Sequence, residues 1–221
     1  TNINGTFVLL EAARKNNVKR FVQISTDEVY GSIKQGKFAE NSLLNPSSLY
    51  SASKAAAELL ALSYYKTHGL NVVITRSSNN FGPYQYPEKV IPLFITNILE
   101  NKKVPLYGTG MNVRDWIYVK DNCDAIDFVM HNGKPGEAYN IAGDNELNNK
   151  FLTELIIKKL GKTNDCIEYV EDRKGHDWRY ALDDTKLKKL GWHKKYGFEK
   201  AIDDTIKWYC ENKGWWKKLK K

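Results

Sequence analysis

Two apolar, β-branched runs with a long helical pattern between them constrain this chain most. Arg20-Phe21-Val22-Gln23-Ile24 reads as a buried strand, and Asn71-Val72-Val73-Ile74-Thr75-Arg76 reads as a second. Between them, Ala55, Ala56, Ala57, Leu59, Leu60 and Leu62 follow helical spacing over about residues 49–67. Pro46-Ser47-Ser48 supply helix-start signals, and His68-Gly69 supplies the stop. Strand, helix, strand is a βαβ unit, for which a parallel pair and a right-handed crossover are expected. Both strands run into polar clusters: Ser25-Thr26-Asp27-Glu28 in one case, Ser77-Ser78-Asn79-Asn80-Phe81-Gly82-Pro83 in the other. In open α/β sheets that strand edge is where ligands bind.

The helix carries Tyr50 and Lys54, four residues apart and so on one face. An ammonium near a phenol favours the phenolate and lowers a pKa of about 10 toward neutral, which suits a general base. The bland alternative is a surface Tyr and a surface Lys. Asp27 and Glu28 are adjacent carboxylates. In a closed site such neighbours split their pKa values, so one serves as acid and the other as base. The alternative for them is a helix N-terminus that favours acidic residues.

Composition narrows the classes. A chain of 221 residues, 42% hydrophobic and 27% charged, is an ordinary globular protein of one large or two small domains. No apolar run is long enough to span a membrane, no signal-peptide pattern opens the sequence, and no membrane partner is expected. The three cysteines, Cys123, Cys166 and Cys210, form no CxxC, and the four histidines lack ligand spacing. A reducing, cytoplasmic setting and no structural metal follow as expectations. The net charge of +8 resides in the last 36 residues, where twelve Lys face four acidic residues. No Arg-rich groove or aromatic platform accompanies it, so a solvated lysine-rich surface is expected rather than nucleic-acid binding.

The remaining elements are read in order. A helix covers 6–17 ahead of the first strand, and a helix at about 89–101 follows Pro87-Glu88-Lys89. Strands are expected at 104–107, 113–119 and 138–142, and helices from Lys120 to about residue 131, at 150–160, at 184–190 and at 199–212. Trp208 is taken as core, and Trp215-Trp216 as cover for the domain edge.

These residues resemble the extended short-chain dehydrogenase/reductase family, in its branch of nucleotide-sugar 4,6-dehydratases. The likeness runs from Asn2-x-x-Gly5-Thr6 to Trp215-Trp216. Four motifs carry it: Thr26-Asp27-Glu28; Tyr50-x-x-x-Lys54; Arg76 to Pro83 with Pro87-Glu88-Lys89; and Asp172-Arg173-Lys174-Gly175-His176-Asp177 with Arg179-Tyr180. Lys174 and Trp178 depart from the branch's usual pattern.

The resemblance implies an α/β fold: an NAD(P)-binding, Rossmann-like doubly wound parallel sheet lacking its first strands, with a smaller mixed α/β substrate-binding part. Residues 1–82 would form the C-terminal half of the NAD domain. Residues 83–221 would mainly hold the sugar nucleotide and re-enter the sheet around 112–142. The implied cofactor is NAD, the implied substrate a dTDP- or UDP-hexose, and the implied assembly a homodimer through the helices at 6–17 and 50–66. By the same likeness Thr26 orients the sugar, Asp27 is the acid, Glu28 the base, and Tyr50 with Lys54 serves the oxidation. Ser25, Tyr50, Lys54 and Asn79 would face the cofactor. Thr26, Asn79, Asn80, Lys89, Tyr107, Arg114, Asn149, Arg173 and His176 would hold the substrate. Arg suits a diphosphate through its planar pair of donors. Arg114 could instead pair with Asp115 or Asp121, Tyr107 could be an ordinary strand tyrosine, and His176 a structural loop histidine.

The family's glycine-rich fingerprint does not occur. Gly108-Thr109-Gly110 lacks a third glycine and reads as a turn. The chain also opens on a helix where a βαβ fold opens on a strand. An upstream segment holding the first strands and the pyrophosphate-binding helix start is therefore expected, and residues 1–221 alone are expected to bind NAD poorly and to be inactive. Two alternatives stand beside the dehydratase: a 4-epimerase or UDP-glucuronate decarboxylase of the same superfamily, which needs no elimination pair, and a non-catalytic basic binding module using the lysine tail.

Overall fold

The computed structural model describes residues 1–172 and 177–220. The βαβ unit is present. Strand β1 (Phe21–Thr26) pairs in parallel with β2 (Val72–Ser77), from Phe21 opposite Val72 to Thr26 opposite Ser77. Helix α2 (Leu49–His68) connects them. Ser48 caps α2 reciprocally with Ser51, and Gly69 ends it at φ +68°, a left-handed position that costs glycine little. Helix α1 (Asn4–Lys15) packs beside α2.

Every residue of β2 is buried because the sheet is covered on both faces. Val72 and Ile74 point to one side, where they meet Leu10 of α1 and Ala61 and Tyr64 of α2. Val73 points to the other side, toward Ala125, Val129, Leu187 and Trp192. This alternation follows from the two-residue period of a strand.

The chain then leaves and returns. Strand β3 (Asn79–Phe81) follows β2 almost directly, and α3 (Val90–Leu99) and β4 (Val104–Tyr107) come next. Strand β5 (Val113–Tyr118) pairs in parallel with β3 and antiparallel with β7 (Glu146–Asn148). After α4 (Val119–Asn132), β6 (Ala138–Ile141) joins the first sheet beside β2, giving the order β1-β2-β6. Helix α5 (Asn149–Lys159) leads to β8 (Ile167–Val170), which pairs in parallel with β4. Helices α6 (Thr185–Leu190), α7 (Phe198–Glu211) and α8 (Lys213–Trp216) complete the described chain.

The principal helices and longer strands fall where the periodicity places them. Three short strands, β3, β7 and β8, lie where no strand was expected, because segments of three or four residues carry too little pattern to read. The expectation for Trp216 needs correction. Trp216 does not cover an edge: it is fully buried in the core with Phe94, Ile95, Ile156, Ile202 and Tyr209, and its indole N–H donates to the Tyr209 carbonyl at 2.8 Å. Trp208 is half-buried and packs against that core, as expected, with its ring tilted against Tyr84.

One buried ion pair fastens α2 to the sheet. Arg76 Nη2 lies 2.6 Å from Glu58 Oε2, and Nε donates to both carboxylate oxygens at 3.0 and 3.1 Å. The two side chains are 5% and 0% exposed. Arg76 also donates to the Tyr30 hydroxyl at 2.6 Å and to the Glu40 carbonyl at 3.1 Å. Glu58→Ala leaves a buried guanidinium without its carboxylate. Urea denaturation should show a loss of about 3–5 kcal/mol, and a loss below about 1 kcal/mol would contradict this account.

Candidate active site

The site begins where β1 ends. Ser25 and Thr26 are buried, and the chain turns at once into a single 3-10 turn, Asp27–Tyr30. The Thr26 hydroxyl accepts from the Glu28 N–H at 3.3 Å and donates to Asp27 Oδ1 at 3.1 Å. Gly31 closes the turn at φ +80°, and a Cβ there would lie 2.4 Å from the Asn45 carbonyl oxygen. Val29 and Tyr30 are buried as the floor of the turn. Tyr30 stacks on Phe38 at 4.9 Å and donates to Asn140 at 2.9 Å. The helix-start reading of Asp27-Glu28 is thus correct locally, and the turn also holds both carboxyls at the sheet edge.

The two carboxyls differ in surroundings. Asp27 is 3% exposed and Glu28 half-buried. Burial, then the Glu28 charge, push Asp27 up to about 8; Asp115 adds to this, while Thr26 and Arg114 oppose it. Asp27 therefore holds its proton at neutral pH, and its Oδ2 has no hydrogen-bond partner among the described residues.

Tyr50 lies within the field of both carboxylates, and its behaviour corrects the expectation. Burial, then Glu28 and Asp27, raise its pKa, against a hydrogen bond with Thr26. The Lys54 ammonium donates instead to the Ile24 carbonyl of β1, and burial lowers its own pKa. One helix face brings the pair to the strand end, but the side chains serve different partners.

The second strand end supplies a row of polar atoms. The Ser78 hydroxyl donates to Asp115 at 2.6 Å, and Asp115 also accepts from the N–H groups of Gly143 and Asn145 at 2.7 Å each. Ser25 Oγ, Ser77 Oγ, Asn79 Oδ1 and Asn80 Oδ1 are buried atoms without a partner among the described residues. Buried polar groups are normally satisfied, so a row of exceptions at one sheet edge marks a place for a ligand.

Arg114, on β5, is 8% exposed. It donates to the carbonyls of Val113 at 2.7 Å and Asp177 at 3.0 Å, and it lies over the Tyr180 ring at 4.4 Å. Burial lowers its pKa, opposed by Tyr180, Asp27, Asp177 and Glu28. The alternative of a salt bridge to Asp115 or Asp121 does not hold, because Asp115 is occupied as above and Asp121 accepts from the N–H groups of Lys195 and Tyr196. Thr26, Asp27, Glu28, Tyr50 and Arg114 thus act on one another, with Ser25 buried beside them at the end of β1. Lys89 is exposed beside Glu88 at 3.7 Å, Tyr107 ends β4, and Asn149 opens α5. Arg173 and His176 lie outside the described residues.

Sequence reasoning missed Asp115 and Tyr180. Tyr180 donates to Asp177 Oδ2 at 2.6 Å, and Ser47 Oγ reaches the same oxygen at 2.5 Å. A usable signal was the consecutive pair Arg114-Asp115. Both are buried, although a strand alternates its faces, and buried charges on both faces mean polar work on both.

Comparison with known proteins agrees with this edge-sited α/β arrangement. The chain belongs to the family described as GDP-mannose 4,6 dehydratase, whose model matches residues 1–205. It is 53% identical over 222 residues to dTDP-glucose 4,6-dehydratase of Streptomyces antibioticus, covering 100% of this chain and 66% of that protein. Among solved structures, DesIV of Streptomyces venezuelae, a dTDP-glucose 4,6-dehydratase with NAD bound, superposes with a TM-score of 0.98 at 48% identity, over 100% of this chain and 69% of that one. The dTDP-glucose 4,6-dehydratase of Bacillus anthracis, in complex with NAD, gives 0.95 at 55% identity, over 100% and 71%. The chain spans about two thirds of the length of the curated relatives it matches.

Asp27 ionises near 3.8 when freely solvated and near 8 in the fold. The folded state therefore binds more protons than the unfolded state across that window, and stability falls as pH rises through it. Asp27→Asn should raise Tm at pH 8 and flatten Tm between pH 4 and 8. Parallel melting curves for the variant and the parent protein would contradict the assignment.

Proposed function

We propose that this chain carries the catalytic residues of an NAD-dependent nucleotide-hexose 4,6-dehydratase, acting on a dTDP- or UDP-hexose and yielding a 4-keto-6-deoxy sugar. The observation that supports it most is a buried Asp27 holding its proton beside a half-buried Glu28. That is an acid and a base on one turn, which elimination of water requires.

The residues at the strand ends suit the cofactor. The unpartnered hydroxyls of Ser25 and Ser77 and the amide oxygen of Asn79 are hydrogen-bonding groups awaiting a polar ligand, and the half-buried Lys54 lies beside them on the Ile24 carbonyl. We assign Ser25, Tyr50, Lys54 and Asn79 to this side. Bound NAD would supply the hydride acceptor for C4 of the hexose and, once reduced, the hydride donor for C6. Tyr50 stands to take the proton of the 4-hydroxyl as its phenolate, a form that burial and the Glu28 charge disfavour in this structure and that the cationic ring of bound NAD would favour. Once C4 is a ketone, the C5 proton is acidic. Glu28 takes it, and Asp27 gives its proton to the departing C6 hydroxyl, so water leaves; when hydride arrives at C6, Glu28 returns its proton to C5, and Asp27 is reprotonated from solvent. Thr26, with Asn79 and Asn80, orients the sugar. Arg114 contributes positive potential for the diphosphate, and Lys89, Tyr107, Asn149, Arg173 and His176 are proposed to line the nucleotide.

We take residues 1–82 as the cofactor-binding part and 83–221 as mainly the nucleotide-sugar part, the latter re-entering the first sheet at β6. Homodimerisation through α1 and α2 is supported by the exposed Phe7, Val8, Leu9 and Leu59 on those helices. The unpaired thiols of Cys123, Cys166 and Cys210 favour the cytoplasm. No helix among the described residues is long and apolar enough to cross a membrane. A 4-epimerase or decarboxylase would leave the Asp27–Glu28 pair without a task. The basic-module reading is disfavoured because several lysines of the last 36 residues are engaged: Lys188 with Asp144 and Asp184, Lys195 with Asp124, and Lys220 with Glu100 at 2.9 Å and Asn97 at 2.7 Å.

The test uses the complete gene product with dTDP-glucose and UDP-glucose. A 4-keto-6-deoxy product is expected from one of them, and Asp27→Asn or Glu28→Gln should each lower kcat by about 10²–10⁴-fold. An NAD-bound protein that yields no such product from either sugar would refute the assignment.

A further inference from the structure

The loop joining β3 to α3 is held from the C-terminal helices at three successive residues. Tyr84 sits at φ +63°, a left-handed conformation uncommon for an aromatic residue. Its ring lies 4.6 Å from that of Trp208 and 5.6 Å from that of Trp215. The Tyr209 hydroxyl, on a fully buried side chain of α7, donates to the Gln85 carbonyl. The Tyr86 hydroxyl donates to the Leu219 carbonyl at 3.2 Å. Non-glycine backbone at positive φ persists when its surroundings over-determine it, and here the aromatic clamp does so.

The middle contact continues toward the site. Gln85 Nε2 donates to the Asn80 carbonyl at 2.8 Å, and Asn80 Nδ2 donates to the Ser78 carbonyl at 3.1 Å. Ser78 in turn bonds Asp115. At the end of this series stand the buried, unpartnered carboxamide oxygens of Asn79 and Asn80. Tyr209 is itself fixed, since its carbonyl accepts the Trp216 indole N–H.

We propose that Tyr209 and Gln85 are positioning residues. Tyr209 orders the Gln85 backbone, the Gln85 amide orders the Asn80 backbone, and together they hold the Asn79 and Asn80 side-chain oxygens in place to accept the hydroxyls of a hexose. The functional consequence rests on the 4,6-dehydratase reading; the mechanical link does not. The C-terminal helices then act on substrate binding through this loop. An acceptor held in place in advance loses less freedom when the sugar arrives, so the effect falls on binding of the substrate.

Two variants test this in the complete gene product. Tyr209→Phe removes one hydroxyl, and Gln85→Met removes the amide at nearly constant volume. Each should raise KM for the nucleotide-hexose by about 5–10-fold, the equivalent of one hydrogen bond, with kcat unchanged within about twofold. The double variant should match the worse single variant, because the two bonds act in series. Hydrogen exchange supplies a readout independent of turnover: amides 79–85 should exchange faster in both variants while those of α7 stay protected. Unchanged exchange at 79–85 would overturn the link. Faster exchange there with unchanged KM would overturn the positioning role. A parent protein with no turnover would count against the dehydratase reading alone, with the exchange result still deciding the link.

Discussion

The Arg76–Glu58 pair is the constraint on which the rest of the site depends. It joins the middle strand of the first sheet to the helix that carries Tyr50 and Lys54, and Glu58 stands one turn after Lys54 on that helix. Burying two charges costs several kcal/mol of hydration per ion, recovered only when the geometry is good and the remaining donors are satisfied. Here they are: the guanidinium reaches both carboxylate oxygens, the Tyr30 hydroxyl and the Glu40 carbonyl. Rotation of α2 would break all of these at once. The rotation that keeps them directs Lys54 to the Ile24 carbonyl and Tyr50 toward the carboxylates after β1. Through Tyr30 the same pair anchors the turn that presents Asp27 and Glu28.

Two adjacent carboxyls on one short turn sit at different depths, and burial together with the neighbouring charges keeps the proton on Asp27. Asp27 lies inside and Glu28 at the boundary. Ionising both would place two negative charges side by side at a sheet edge, and the cation that opposes them there, Arg114, is itself buried and committed to carbonyl oxygens. The lower-energy arrangement leaves a proton on Asp27. Burial, and then the same negative potential, raise the Tyr50 phenol, so the tyrosine is tuned by its surroundings rather than by its helix-mate.

How much of this the residues revealed beforehand depends on the length of each pattern. The strands at 21–26 and 72–77 and the helix between them were legible because burial on both faces demands uninterrupted apolar runs and because Ser48 and Gly69 punctuate the helix. Asp27, Glu28, Tyr50 and Lys54 were legible as a group because a motif fixes their place on a strand end and a helix face. The direction of the Lys54 side chain was not, since spacing sets which residues share a face but not which of two nearby acceptors an ammonium chooses. Within the polar cluster after β2, Asn-Asn-Phe has no alternation to count and so gives no sign of strand β3, and a tryptophan near a lysine-rich end suggests cover for the domain edge and gives no sign of the pocket that buries Trp216. The hold of Tyr209 on Gln85 spans 124 positions, and no local pattern encodes such a contact.

The central claim is that Asp27 holds a proton at neutral pH beside Glu28. A carbon-13 NMR titration of the Asp27 carboxyl tests it most directly, with Asp27→Asn used to assign the resonance. The account predicts a protonated carboxyl at pH 7 and a midpoint near 8. A midpoint near the ordinary aspartate value of about 3.9 would contradict it.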